Sequence, residues 1–176
     1  MRIYYDTEFY ENGRTIDLIS IGMVAEDGRS FYGITSNLPF HALYTHEFLR
    51  SNVTPYLPVR QGVDDYSDGD LDFQHQDIDK VLYPTDLAQA VSEFIAETPE
   101  PELWAYYGAY DHVALAQLFG PMVKMPKHIP WFTNDLKQEI ARLGNPTIPV
   151  QDEGHHNALA DARWNKAVGD FLLGAY

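Results

Sequence analysis

Polar and apolar residues alternate near the start of the chain, in Tyr4-Tyr5-Asp6-Thr7-Glu8-Phe9. A period of two predicts a β-strand with Asp6 and Glu8 on one face. Asn12-Gly13 signals a turn, Thr15 to Ala25 is a second β-rich run, and Glu26-Asp27-Gly28-Arg29 turns tightly into a third strand over Ser30 to Ile34. Three antiparallel strands therefore open the fold. Phe40 to Asn52 predicts a helix, interrupted by Pro55 and Pro58. Leu87, Val91, Phe94 and Ile95 lie at helical spacing, so Thr85 to Glu97 predicts an amphipathic helix laid on a sheet and ended by Pro99 and Pro101. Leu103 to Tyr107 reads as a buried strand, Gly108 to Tyr110 as a turn, and Asp111 to Phe119 as a helix stopped by Gly120-Pro121. Another helix, capped by Thr133 or Asn134, runs through Leu143 with Leu136, Ile140 and Leu143 on one face. After a Pro-rich loop the last helix runs from about Asn157 to Leu173, with Trp164, Ala167, Val168, Phe171 and Leu172 as its expected core face. The sum is an α/β fold whose mixed sheet is flanked by helices.

Periodicity lapses over residues 60–80, where acids and glycines predict a surface loop inserted into a single domain spanning 1–176. That insertion holds many of the acids behind the net charge of −14, and it is expected to lie away from any phosphate-bearing ligand. So negative a chain argues against nucleic acid as a partner, unless bound divalent cations supply positive charge where a phosphate sits. No apolar run approaches the ~20 residues that span a bilayer. The N-terminus carries no signal-peptide pattern, so no membrane partner and a cytoplasmic location are expected. The absence of cysteine excludes disulfides and thiol chemistry and argues against structural zinc.

Charge matters most at the first strand. Two carboxylates one strand repeat apart repel each other unless a cation lies between them, and hard oxygen donors suit Mg²⁺ or Mn²⁺. Taken alone, Asp-x-Glu is common, and a strand edge with two solvated acids is its more ordinary reading. Asp111 follows a strand and opens a helix, which suits an ordinary N-cap but is also where α/β folds place their sites. Asp161 sits among apolar neighbours on the last helix, either on its solvated face or facing a charge. His156 precedes it by five residues, and with His155 it could be no more than a surface pair.

Together, Asp-x-Glu, a later Asp after a strand, and His-x-x-x-x-Asp near the end resemble the DEDDh family of 3′-to-5′ exonucleases, which have a ribonuclease-H-like fold. The pattern is nearest the ribonuclease T-like exoribonucleases that include the mycobacterial polyadenylate-specific enzyme. Tyr5 to Phe9, Leu18 to Gly22, Val24 to Arg29, Gly108 to Leu115, Gly120 to Met122 and Ala158 to Arg163 carry the resemblance. It implies that Asp6, Glu8, Asp111 and Asp161 hold two Mg²⁺ ions, which Mn²⁺ can replace. It also makes His156 the general base, with His155 as competitor, and the Gly154-containing loop would let that base move with substrate. The implied substrate is single-stranded, adenylate-rich RNA with a free 3′ end, and the implied assembly is a homodimer. Phe9 and Tyr10, directly after the acidic strand, are the candidate base-stacking rings, with core packing the alternative for Phe9. A DNA-directed exonuclease of the same family and a catalytically silent binding module are the competing expectations.

Overall fold

The computed structural model describes residues 1–60 and 71–174. Three long strands form first: β1 (Arg2–Glu11), β2 (Ile16–Ala25) and β3 (Ser30–Thr35), paired antiparallel in sequence order. Arg29, at the β2–β3 turn, bonds Asp27 and reaches Thr98 at 2.9 Å, tying the turn to the chain after a later helix. Two-residue β4 (Val81–Leu82) joins the far side of β3 in parallel. On the other side of β1 lie β5 (Glu102–Ala105) and two-residue β6 (Asn134–Asp135), both parallel to it, giving the order β4-β3-β2-β1-β5-β6.

Among the described residues five α-helices cover this sheet: α1 (Phe40–Thr45), α2 (Pro84–Ala96), α3 (Ala109–Gln117), α4 (Leu136–Arg142) and α5 (Ala158–Leu173). The apolar stripe of α2 packs with Leu115 of α3 over Ile3, Tyr5, Ile21 and Met23. Leu136, Ile140, Val168 and Leu172 of α4 and α5 pack over Tyr4 from the opposite face. Alternation along β1 thus sends Tyr4, Asp6 and Glu8 toward α5.

Several boundaries differ from the sequence expectation. The helix expected over Phe40–Asn52 breaks at His46, whose backbone is extended, and resumes as a π-helical turn over Leu49–Val53. The break lets Leu43, Leu49 and Val53 close on one cluster around Ile34, stapled by the buried Thr54 hydroxyl donating to the Leu43 carbonyl at 2.8 Å. The strand expected over Leu103–Tyr107 ends at Ala105, because Tyr107 adopts φ 57° and turns the chain into α3. The cap of α4 is Asp135 rather than Thr133 or Asn134, accepting from the amides of Lys137 and Gln138. Of the expected surface loop, Leu71 bridges to Val59 and Ile78–Lys80 forms a helical turn, while 61–70 lie outside the described residues.

The core face of α5 is also corrected. Ala167 and Phe171 are exposed, and Ala158, Ala162, Asn165, Val168, Gly169 and Leu172 face inward. Two close approaches select that face. A methyl group on Gly169 would strike the Tyr4 ring, and one on Gly22 of β2 would strike the backbone of Ala158 and Leu159. The start of α5 therefore rests directly on the sheet, beside the residue paired with Asp6.

Candidate active site

β1 and β5 part company partway along. Their pairing ends at Tyr4–Trp104, so the upper half of β1 has lost its parallel neighbour and its backbone groups need other partners. Asn165 of α5, itself buried, donates its amide to the Tyr5 carbonyl at 2.9 Å. The amide and hydroxyl of Thr7 donate to one oxygen of Asp111 at 2.8 and 2.7 Å. Strand divergence thus draws in the helices that carry the later acids, at the carboxyl end of a parallel strand, where α/β sheets open their clefts.

Asp6 and Glu8 meet Asp161 there. Each of the three offers a carboxylate oxygen, and those oxygens lie within 4.8 Å of one another. Asp111 is buried beside them on the first turn of α3, held by Thr7. Burial, reinforced by the charges of Asp111, Glu8 and Asp161, pushes the Asp6 carboxyl well above the usual range. Burial and the charges of Asp161 and Asp111 lift Glu8 to about 8. Burial raises Asp111 to about 6 against the opposing hydrogen bonds from Thr7, and it raises Asp161 against those from Gln151 and His156. None of the ion pairs among the described residues neutralises these acids. A convergent set of hard oxygens, unneutralised by lysine or arginine, fits Mg²⁺ or Mn²⁺.

A cleft of about 790 Å³ opens over the acids. His155 and His156 both reach it but differ in their bonding. The Nε2 of His155 donates to the Gln151 carbonyl at 3.0 Å, tying that ring to the loop. His156 has φ 64°, its backbone amide donates to Asp161 Oδ2 at 2.9 Å, and its ring meets Phe48 edge-on at 4.9 Å. The histidine loop is thus tied to α5 through the bond from the His156 amide to Asp161. Phe9 lies in the cleft and stacks on Tyr110 at 5.9 Å. Tyr10 lies elsewhere, edge-on to His46 at 6.0 Å and against the cluster beneath α1.

Sequence reasoning passed over Phe48, Tyr107, Tyr110 and Gln151, all of which line the cleft. Only Tyr110 carried a local signal, adjacency to Asp111. Phe48 arrives through the break after α1, and Gln151 through a loop with no periodicity.

Residues 73–173 match the family model described as the 3′-5′ exoribonuclease Rv2179c-like domain. The protein named 3′-5′ exoribonuclease Rv2179c of Mycobacterium tuberculosis strain H37Rv is 42% identical over 163 residues, which are 93% of this chain and 88% of that one. The chain belongs to the Rv2179c-like 3′-5′ exoribonuclease family. The protein named 3′-5′ exoribonuclease MT2234.1, from strain CDC 1551, matches this member of the family equally. Among solved structures, Pop2p of S. pombe in its Mg²⁺- and Mn²⁺-bound form has a TM-score of 0.59 at 15% identity, covering 99% of this chain and 83% of that one. Exonuclease I has a TM-score of 0.55 at 10% identity, over 97% of this chain and 40% of that one. Both likenesses concern the fold, and they identify the family's sheet and helices here as the ribonuclease-H-like exonuclease fold. Among the described residues no helix is long and apolar enough to cross a membrane.

Proposed function

We propose that this family member is a divalent-metal-dependent enzyme that removes nucleoside 5′-monophosphates from the 3′ end of single-stranded RNA. The observation that carries the metal dependence is the convergence of Asp6, Glu8 and Asp161, three unneutralised acids whose oxygens lie within 4.8 Å of one another in a cleft. Asp6, Glu8 and Asp161 would hold one ion, and Asp6 with Asp111 a second. When bound, the two ions supply positive charge to the attacking water and to the departing 3′ oxygen.

The chain's own groups do the rest. His156 accepts the proton of the attacking water on a ring nitrogen, the water oxygen bonds to phosphorus, and the P–O3′ bond breaks to leave an O3′ oxyanion that takes a proton from solvent to become the new 3′-hydroxyl. His155 is the weaker choice of base because its Nε2 is committed to a carbonyl. Phe9, Tyr110, Tyr107 and Phe48 offer ring faces to the terminal bases. Rings stack on any base, so the preference for adenylate, like the homodimer, rests on the family resemblance. Trp131 and Phe132, exposed and outside the cleft, provide apolar surface compatible with an interface.

Digestion of A, C, G and U homopolymers tests this reading. Stepwise release of 5′-monophosphates, fastest from poly(A) and abolished by EDTA, is expected. Faster digestion of the matching deoxyoligonucleotides would make DNA the substrate instead.

A further inference from the structure

Among the cleft residues outside the four acids and the histidines, Gln151 bonds both an acid of the site and, through its backbone, the histidine loop. Gln151 is half-buried, and its Nε2 donates to Asp161 Oδ1 at 2.7 Å. The other oxygen of the same carboxylate takes the His156 amide at 2.9 Å, so the loop grips both oxygens of Asp161. The Gln151 carbonyl in turn accepts from His155 Nε2 at 3.0 Å. Two residues earlier the Pro149 carbonyl accepts from Trp164 Nε1 at 3.0 Å, fixing the far end of the loop to α5.

We propose that Gln151 is a positioning residue, whose amide aims Asp161 at Asp6 and Glu8 while its backbone anchors the histidine loop above them. The inference rests on the metal-dependent reading above. A carboxylate on a helix has several staggered rotamers, and the one adopted here brings an oxygen of Asp161 within 4.8 Å of oxygens of Asp6 and Glu8. An amide donor at 2.7 Å selects that rotamer without adding charge, which a lysine in its place would do by neutralising the site. The same residue also holds His155 through its backbone carbonyl, so side chain and backbone of Gln151 join the acid to the histidine loop. Removing the side-chain amide leaves Asp161 held at one oxygen only, by the His156 amide, while the bonds from Trp164 and to the Gln151 carbonyl still hold the loop near α5.

Outer partners of metal ligands are commonly worth ~10–100-fold in metal affinity or activity. Gln151→Ala, and Gln151→Asn, which keeps the amide but shortens its reach, are therefore expected to weaken Mg²⁺ binding to the RNA-free enzyme about tenfold by calorimetry. Turnover should fall by about the same factor at saturating metal, KM for an A-rich oligonucleotide should stay within about twofold, and the metal-free melting temperature should hold. His155→Ala leaves the amide clamp in place and should keep wild-type Mg²⁺ affinity. Wild-type affinity and turnover in both Gln151 variants would overturn the inference while leaving the metal site intact. So would a loss of activity accompanied only by a lower melting temperature. If the unsubstituted enzyme bound no divalent ion, the metal-dependent reading itself would fail, and the inference with it.

Discussion

At the scale of single residues, Asp6 is where the forces on the site conflict most. It is flanked by like charge and raised well above its ordinary carboxylate range by burial and by Asp111, Glu8 and Asp161. Asp6→Asn removes one charge and keeps the shape. It should abolish hydrolysis while the metal-free fold holds or gains stability, measured by turnover and thermal melting on the same preparation. Equal activity in variant and parent would rule the site out. For the proton, His156→Ala should lower turnover by ~10²–10⁴-fold with little change in metal binding, the usual range for a positioned base. His155→Ala should be mild, within about tenfold, because its ring serves the loop. Single-turnover rates across pH check both, and a dead His155 variant beside a healthy His156 variant would reverse the assignment.

At the scale of elements, the site depends on how closely α5 lies on the sheet. Gly22 permits that contact, since any side chain there meets helix backbone that cannot rotate aside. Gly22→Ala should cost ~1–3 kcal/mol or more by overpacking, and it should lower activity further by lifting Asp161 away from β1. Denaturant unfolding paired with Mg²⁺ calorimetry separates the two effects. The elements also explain what could be read beforehand. The three opening strands and α2 were legible because their periodicity is local and strong. All four acids and both histidines line one cleft, and it was the resemblance to the DEDDh pattern, rather than periodicity, that had grouped the acids with a histidine. The inward face of α5 was only partly legible: Trp164, Val168 and Leu172 pack as expected, but Asn165 and Gly169 face inward for a carbonyl and a tyrosine ring that no helical pattern reveals. The Asp135 cap was hidden by a two-residue strand paired with Trp104 and Ala105, a contact about thirty residues away along the chain. Phe48 and Gln151 reach the cleft only through irregular backbone, which carries no period to read.

At the scale of the whole molecule, the balance of charge sets the response to pH and metal. The unfolded chain titrates its carboxyls near pH 4, whereas folding holds Glu8 near 8 and Asp111 near 6. Between those limits the folded state binds more protons than the unfolded one, so metal-free stability should fall as pH rises from about 4 toward 8. Saturating Mg²⁺ should flatten that slope by holding the acids ionised. Calorimetric melting with and without metal checks the sign, and a metal-free stability that rises over this window would contradict it. Light scattering is expected to give twice the chain mass, and a fully active monomer would remove the homodimer from the account.

The most direct measurement of the central claim is the digestion of one A-rich RNA labelled at either end, with Mg²⁺ or with excess EDTA. With Mg²⁺, the 3′ label should leave first as a mononucleotide while the 5′-labelled strand shortens one nucleotide at a time. With EDTA both strands should stay whole. Undiminished cleavage in EDTA, or a 5′ label released first, would contradict the account.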